Sequence, residues 1–371
     1  MRTAITAIIA LVIGGLIGHF AIPGTPQISV EVEAPAPEEA ADSAAAGAVT
    51  PVHWKMASAF PSTLPIAGTR CVQLTKNIEL ASNGNVELRF FEPGALVPAL
   101  EVFDAVSSGA VDAGCATPGY WAGKVPALQI FSAVPFGPRQ GEYLAWLHHG
   151  GGTELFRELY ARHNIYGIHC LLIPPEGSGW FREPVTSLDD LKGLKMRFFG
   201  LGAKVMEKLG VSTQLLAPGD IFPALELGTI DATELGMPVL DLSLGFYQVA
   251  KHYYFPGWHQ PATLGELIIN MDKWNSLAPS QQALIEMACG DNIRHSLAEG
   301  EAAQFGALKE LQRHGVELHK WPQEMIEAYR TAWGEVAVEE AATDPDFGRV
   351  WASLSTFRAN YKLWADLGYV D

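Results

Sequence analysis

Arg197 lies in the apolar run Leu194-Lys195-Met196-Arg197-Phe198-Phe199, which has the composition of a strand. A guanidinium is costly to bury unless it meets an anion, and its fork suits a bidentate grip on a carboxylate. The plainer alternative is an edge-strand arginine facing water or paired with a nearby Asp. Glu234 stands just past the short strand 229–233, where a carboxylate is well placed to meet a ligand. Tyr120 and Trp121 follow another strand, 111–117, in the loop Pro118-Gly119-Tyr120-Trp121, with core packing or an interface as the competing role. Glu176, in the loop Pro174-Pro175-Glu176-Gly177-Ser178-Gly179, is by itself more in keeping with a solvated acid. His259 and Gln260 share a turn after Trp258, and a lone His there is first a structural residue.

The patterns of common catalytic sites are absent. Glu176-Gly177-Ser178-Gly179-Trp180 has an acid where a nucleophile elbow needs glycine. Zinc-protease, P-loop and dinucleotide-binding motifs do not occur. Glu176 and Glu234 could form a hydrolase-like carboxylate pair, but nothing in the sequence sets their separation. Four scattered cysteines (Cys71, Cys115, Cys170, Cys289) without a CxxC exclude a zinc or redox motif. They are expected as buried, unpaired thiols; if export oxidises them, three pairings are open.

The elements that must position these residues include a repeat. Residues 101–114 (EVFDAVSSGAVDAG) and 220–233 (DIFPALELGTIDAT) match at Phe103/Phe222, Ala105/Ala224, Gly109/Gly228 and Asp112/Asp231. Each copy follows a Pro-Gly pair, Pro93-Gly94 and Pro218-Gly219. A unit of turn, helix, glycine stop and strand, used twice, predicts two similar α/β lobes. Ser187 with Asp190 is expected to cap a short helix stopped by Gly193. Strands are expected at 53–60, 86–91 and 165–173, and helices at 67–82, 139–163 (interrupted at Gly150–Gly152) and 201–210. Residues 250–270 should form an aromatic loop running into a strand. A long helix is expected from Pro279 to His314, then a short strand and two amphipathic helices, 322–342 and 345–366.

The chain has 371 residues, enough for two domains, and 41 acidic against 25 basic residues give a net charge of −16. That balance disfavours nucleic acid. Residues 1–22 form an export signal or an uncleaved N-terminal anchor, and 23–50 a disordered linker. Lobe 1 is expected mainly within 51–170, lobe 2 mainly within 171–275, and helices packing on both within 276–371.

Several long segments resemble the solute-binding subunits of tripartite ATP-independent periplasmic (TRAP) transporters, of the DctP type. They include PALEVFDAVSSGAVDAG, YWAGKVPALQIFSAVPFG, GWFREPVTSLDDLKGLKMRFFGLG and LGFYQVAKHYYFPGWHQP, and with the C-terminal helices they cover nearly all of 52–365. The resemblance is strongest to the branch that binds 2-oxo or 2-hydroxy acids with a metal ion. It implies a two-lobed α/β periplasmic binding fold with mixed sheets, hinge segments and a long spanning helix. It further implies capture of a small organic acid for TRAP membrane subunits, a homodimer on the C-terminal helices, and no catalysis. A receptor-coupled sensor is the alternative.

By the same resemblance Arg197 grips the substrate carboxylate and Tyr120 contacts the ligand from the other lobe. The metal ligands fall on Glu176, Glu234, the carbonyl of Leu235 and Gln260. The sequence departs from the branch pattern here: Glu176 stands for Gln, Gln260 for Glu, and Leu235 for Trp. The first two changes conserve formal charge, so an acid and an amide exchanged across one site is the expectation. Oxygen-only ligands suit Ca²⁺ or Na⁺, with no organic cofactor. Phe198-Phe199 replace the usual Ile-Pro; if either ring, Phe198 or Phe199, faces the ligand the pocket becomes smaller or more apolar, and if both face the core nothing changes.

Overall fold

A computed structural model describes residues 50–369. The export signal or anchor (1–22) and nearly all of the linker (23–50) lie outside the described residues. Among those described, no helix is long and apolar enough to cross a membrane.

In chain order the strands are β1 (Val52–Ser58), β2 (Val86–Phe91), β3 (Ala113–Ala116) and β4 (Ile165–Ile173). Then come β5 (Gly179–Phe181), β6 (Lys195–Arg197), β7 (Ser212–Gln214), β8 (Ala232–Thr233) and β9 (His252–Phe255). Last are β10 (Thr263–Asn270) and β11 (Glu317–Lys320). They build two mixed sheets, one for each lobe: β2-β1-β3-β10-β4 and β11-β9-β5-β8-β6-β7. Strand β10 crosses back and runs antiparallel between β3 and β4, while β11 joins the second sheet parallel to β9.

The repeat appears as equivalent hydrogen bonds in the two lobes. The Asp112 carboxylate accepts from Lys55 N (2.8 Å), and Asp112 N donates to Lys55 O (3.1 Å). Asp231 makes the same pair with Lys195, at 2.9 and 2.7 Å. In each copy a glycine, Gly109 (φ 78°) or Gly228 (φ 72°), takes the left-handed turn that stops the helix. Each repeat thus ties the start of β3 or β8 to its parallel neighbour and leaves the strand's far end for Tyr120 or Glu234.

Helix Pro279–Arg313 spans the lobes. Asn292 Nδ2 donates to Cys170 O at 2.9 Å and Ser296 Oγ to Leu172 O at 3.1 Å, on the first sheet. Further along, Gln304 Oε1 accepts from Val239 N at 3.2 Å, and Leu311 is buried in the core of the second lobe. Helices Gln323–Thr343 and Pro345–Gly368 follow and pack on one another through Trp333 and Trp351.

Three expectations are corrected. The cysteines are paired, Cys71–Cys115 and Cys170–Cys289, and none among the described residues is free. Both bridges tie a helix to a strand of the first sheet, joining positions far apart in sequence. The strand predicted over 194–199 is only Lys195–Arg197, because Phe198-Phe199 turn into helix Gly200–Lys208. Residues His252–Phe255, expected as loop, form β9, since both β5 and β11 pair with them. The Ser187 cap forms as expected: Asp190 Oδ2 accepts from Thr186 N (2.8 Å) and Ser187 N (2.9 Å).

Candidate functional site

Arg197 closes β6 and is 1 % exposed. The repeat places β6 beside β8, so its guanidinium reaches the residue that follows β8. Arg197 Nη1 donates to Glu234 Oε1 (2.8 Å) and to Glu234 O (2.6 Å), and Nε donates to Leu216 O (3.3 Å). Nη2 has no hydrogen bond among the described residues, and the side chain lines a cavity. Glu234 Oε1 also accepts from Phe199 N (2.5 Å). Burial pushes the Glu234 carboxyl up, but Arg197, with His259 and Phe199 N, outweighs it and holds the group below the usual carboxylate value. The arginine is therefore neither exposed nor paired with an Asp: it fixes an ionised glutamate and leaves Nη2 without a hydrogen bond among the described residues.

Glu176 and Gln260 come from the two segments that run between the sheets, 174–178 and 256–262. Gln260 Nε2 donates to Glu176 Oε1 (3.1 Å) and to Thr263 Oγ1 (2.8 Å), and Thr263 Oγ1 donates to the same Glu176 oxygen (2.7 Å). Burial, then the charge of Glu234, push the Glu176 carboxyl well above the ordinary range. One ligand atom from each of Glu176, Glu234 and His259 lies within 4.8 Å of the other two. His259 Nε2 is 3.4 Å from Glu234 Oε2, without hydrogen-bond alignment.

Three buried oxygens, Glu176 Oε2, Glu234 Oε2 and Gln260 Oε1, find no donor. Orphaned buried acceptors, two of them carboxylate, are costly unless something positive or water meets them. The oxygen-rich donor set fits a hard cation. Leu235 lines the same cavity.

The first lobe supplies the opposite wall. Tyr120 is buried, and burial, partly offset by Arg197, pushes its hydroxyl up to about 12. Its ring meets Phe199 of the other lobe edge-on, with centroids 5.4 Å apart. Phe198 instead faces Trp258 and His259, so of the two phenylalanines only Phe199 lines the cavity. The cavity has a volume of about 40 Å³, room for a small ligand only, and Phe60, Leu64, Leu171, Leu240 and Phe199 make most of it apolar. Thr263 was not foreseen; its place three residues after Gln260 was the available signal. His259, read as structural, reaches the site as well.

Behind Tyr120, Trp121 Nε1 donates to Glu266 Oε1 (2.7 Å) and Tyr160 OH to Glu266 Oε2 (2.6 Å). Burial outweighs both donors and raises the Glu266 carboxyl from 4.5 to about 8. A folded-state value raised above the unfolded one gives stability that is full below about 4.5 and lost as pH rises through about 8. Asp241, raised from 3.8 to about 7, acts in the same direction. Buried His169, lowered from 6.5 to about 3, acts the other way up to about pH 6.5, so the ligand-free protein should lose melting temperature mainly between about pH 6.5 and pH 8, and Glu266→Gln should flatten that slope. A parent and variant with equal slopes would contradict the assignment.

A family model for bacterial extracellular solute-binding proteins, family 7 (DctP), matches residues 57–344. The chain belongs to this family. A monocarboxylate 2-oxoacid-binding periplasmic protein of Nostoc sp. is 34 % identical over 314 residues, covering 84 % of this chain and 86 % of that one. A TRAP transporter solute-binding protein of Bordetella bronchiseptica, solved as a mixed-occupancy dimer with calcium and picolinate, is 35 % identical. It matches with a TM-score of 0.83 over 85 % of this chain and 94 % of its own. A TRAP periplasmic solute-binding protein of Pseudoalteromonas atlantica, with bound sodium and pyruvate, is 31 % identical, with a TM-score of 0.82 over 87 % and 100 %. As a DctP-family chain it shares the two-lobed fold, and its relatives are solute-binding receptors.

Proposed function

We propose that this solute-binding protein captures a small 2-oxo or 2-hydroxy monocarboxylate together with Ca²⁺ or Na⁺, for delivery to TRAP membrane subunits. The observation that carries this is a small apolar cavity lined by Arg197, Glu176 and Gln260, with Glu234 fixed on Arg197 beside it; both carboxylates and the amide keep an oxygen without a donor. Glu176, Glu234, Gln260 and the Leu235 carbonyl would hold the cation, with acid and amide exchanged relative to the family branch. When bound, the ion supplies the positive charge that lets Glu176 stay ionised while buried. Arg197 takes the ligand carboxylate, and Tyr120 meets it from the first lobe. Phe60, Leu64 and Phe199 receive a short apolar side chain. Closure excludes water and strengthens each charged contact, provided that the ligand prefers the closed state. Glu176 and Glu234 lie close enough to suggest an acid/base couple, but Arg197 holds one of them as a fixed anion. The relatives' solute-binding role favours capture without turnover.

The chain would work in the periplasm, exported and either released or tethered through residues 1–50. A homodimer through the C-terminal helix fits the exposure of Leu363, Trp364 and Leu367. Thermal shift against pyruvate, lactate and larger 2-oxo acids, with and without chelator, tests the reading. Stabilisation that chelator abolishes is expected for Ca²⁺, and stabilisation that needs sodium rather than potassium is expected for Na⁺. No shift with any monocarboxylate would overturn it.

A further inference from the structure

The second lobe carries another ligand cluster that shares no residue with the acid site. Strand β11 is the outer strand of its sheet and pairs in parallel with β9, Glu317 opposite His252 and His319 opposite Tyr254. Side chains two apart on a strand share a face, so Glu317 and His319 project on the same side, and the register puts His252 there too. His252 Nδ1 lies 3.0 Å from His319 Nε2. Glu317 Oε2 lies 3.7 Å from each of these two nitrogens.

We propose that His252, Glu317 and His319 form a second cation site, for a divalent ion of the zinc class, which pins the edge strand β11 to β9. Two ligands held at about 2.0–2.1 Å on a tetrahedral ion are about 3.3 Å apart. The three separations here, 3.0, 3.7 and 3.7 Å, bracket that value, so shifts of a few tenths of an ångström complete the triangle. A plain imidazole–imidazole hydrogen bond accounts for the shortest separation alone. It gives no reason for a carboxylate oxygen equidistant from both nitrogens and too far to bond with either. The imidazoles are shielded, with side chains 12 % and 27 % exposed, while Glu317 at 66 % sits at the rim, leaving the fourth position to water. The ring of His319 is held by stacking on Tyr254, centroids 4.7 Å apart, so one ligand is already oriented. Imidazole with carboxylate selects zinc-class ions, whereas the oxygen-rich set of the acid site suits harder ones.

The test is calorimetric titration of Zn²⁺ into the full chain, purified without a histidine tag and presaturated with Ca²⁺ and pyruvate. One equivalent should bind with micromolar affinity, and His252→Ala or His319→Ala should weaken it by at least about tenfold. The exposed Glu317→Gln change, which spares the fold, should weaken it less. Co²⁺ in place of Zn²⁺ should give a tetrahedral visible spectrum that the histidine variants lose. Retained response to pyruvate in each variant shows that the acid site and fold are intact. No stoichiometric Zn²⁺ binding below about 100 µM, or equal affinity in parent and all three variants, would overturn the site.

Discussion

Arg197→Ala is expected to abolish useful acid binding, at a cost of about 3–5 kcal/mol, the range for breaking a buried ion pair from one side. The geometry explains why the loss is compound. Nη1 neutralises Glu234, Nε holds the Leu216 carbonyl, and Nη2, without a partner among the described residues, is the group proposed to meet the ligand. Alanine removes the ligand's partner and also leaves a buried carboxylate with only Phe199 N and His259 beside it. The variant should therefore melt lower even without ligand, which separates it from a simple contact loss. Arg197→Lys should fail to rescue binding, because one ammonium cannot fill three directions fixed by a planar fork. Calorimetry with pyruvate checks the first part and denaturant melts the second. Parent-like affinity in Arg197→Ala would remove Arg197 from the site.

Gly119→Ala is expected to weaken ligand binding by about 1–3 kcal/mol, the usual cost of overpacking a filled contact. A Cβ at Gly119 would stand 2.3 Å from Cζ of Phe199 and 2.9 Å from its Cε2. Gly119 precedes Tyr120 in the first lobe and Phe199 follows β6 in the second, so the clash falls where the lobes close. The open protein does not need that contact, and its melting temperature without ligand should change little. Because the obstacle is the ring, Phe199→Leu in the Gly119→Ala background should recover much of the affinity. Unchanged affinity in Gly119→Ala, or a double variant no better than the single, would contradict a closure contact at this position.

Much of this arrangement was legible in the sequence because the chain uses one α/β unit twice. The matched Asp112 and Asp231 perform the same backbone clamp, and the strands they start lead on to the segments that hold Tyr120 and Glu234. Arg197 stood out because a guanidinium in an apolar run demands an anion. That the protein itself supplies one, Glu234, depends on β6 lying beside β8 and could not be read from spacing. The pairing of Glu176 with Gln260 joins residues 84 apart, brought together by two crossings between the sheets. The resemblance predicted that meeting; no local pattern did. The disulfides were missed because both bind positions linked only by tertiary packing. Phe255 and its neighbours looked like loop because adjoining proline and glycine masked a strand held by partners on both sides.

Glu176, Glu234 and Gln260 are proposed to hold jointly the ion that bridges the acid. Crystals grown with Ca²⁺ and pyruvate, measured where calcium scatters anomalously, test this most directly. The predicted result is one peak about 2.3–2.6 Å from oxygens of all three side chains, with the pyruvate carboxylate on Arg197. A peak with Glu176 and Gln260 both outside its coordination shell, or pyruvate bound with no peak beside it, would contradict this shared ion site.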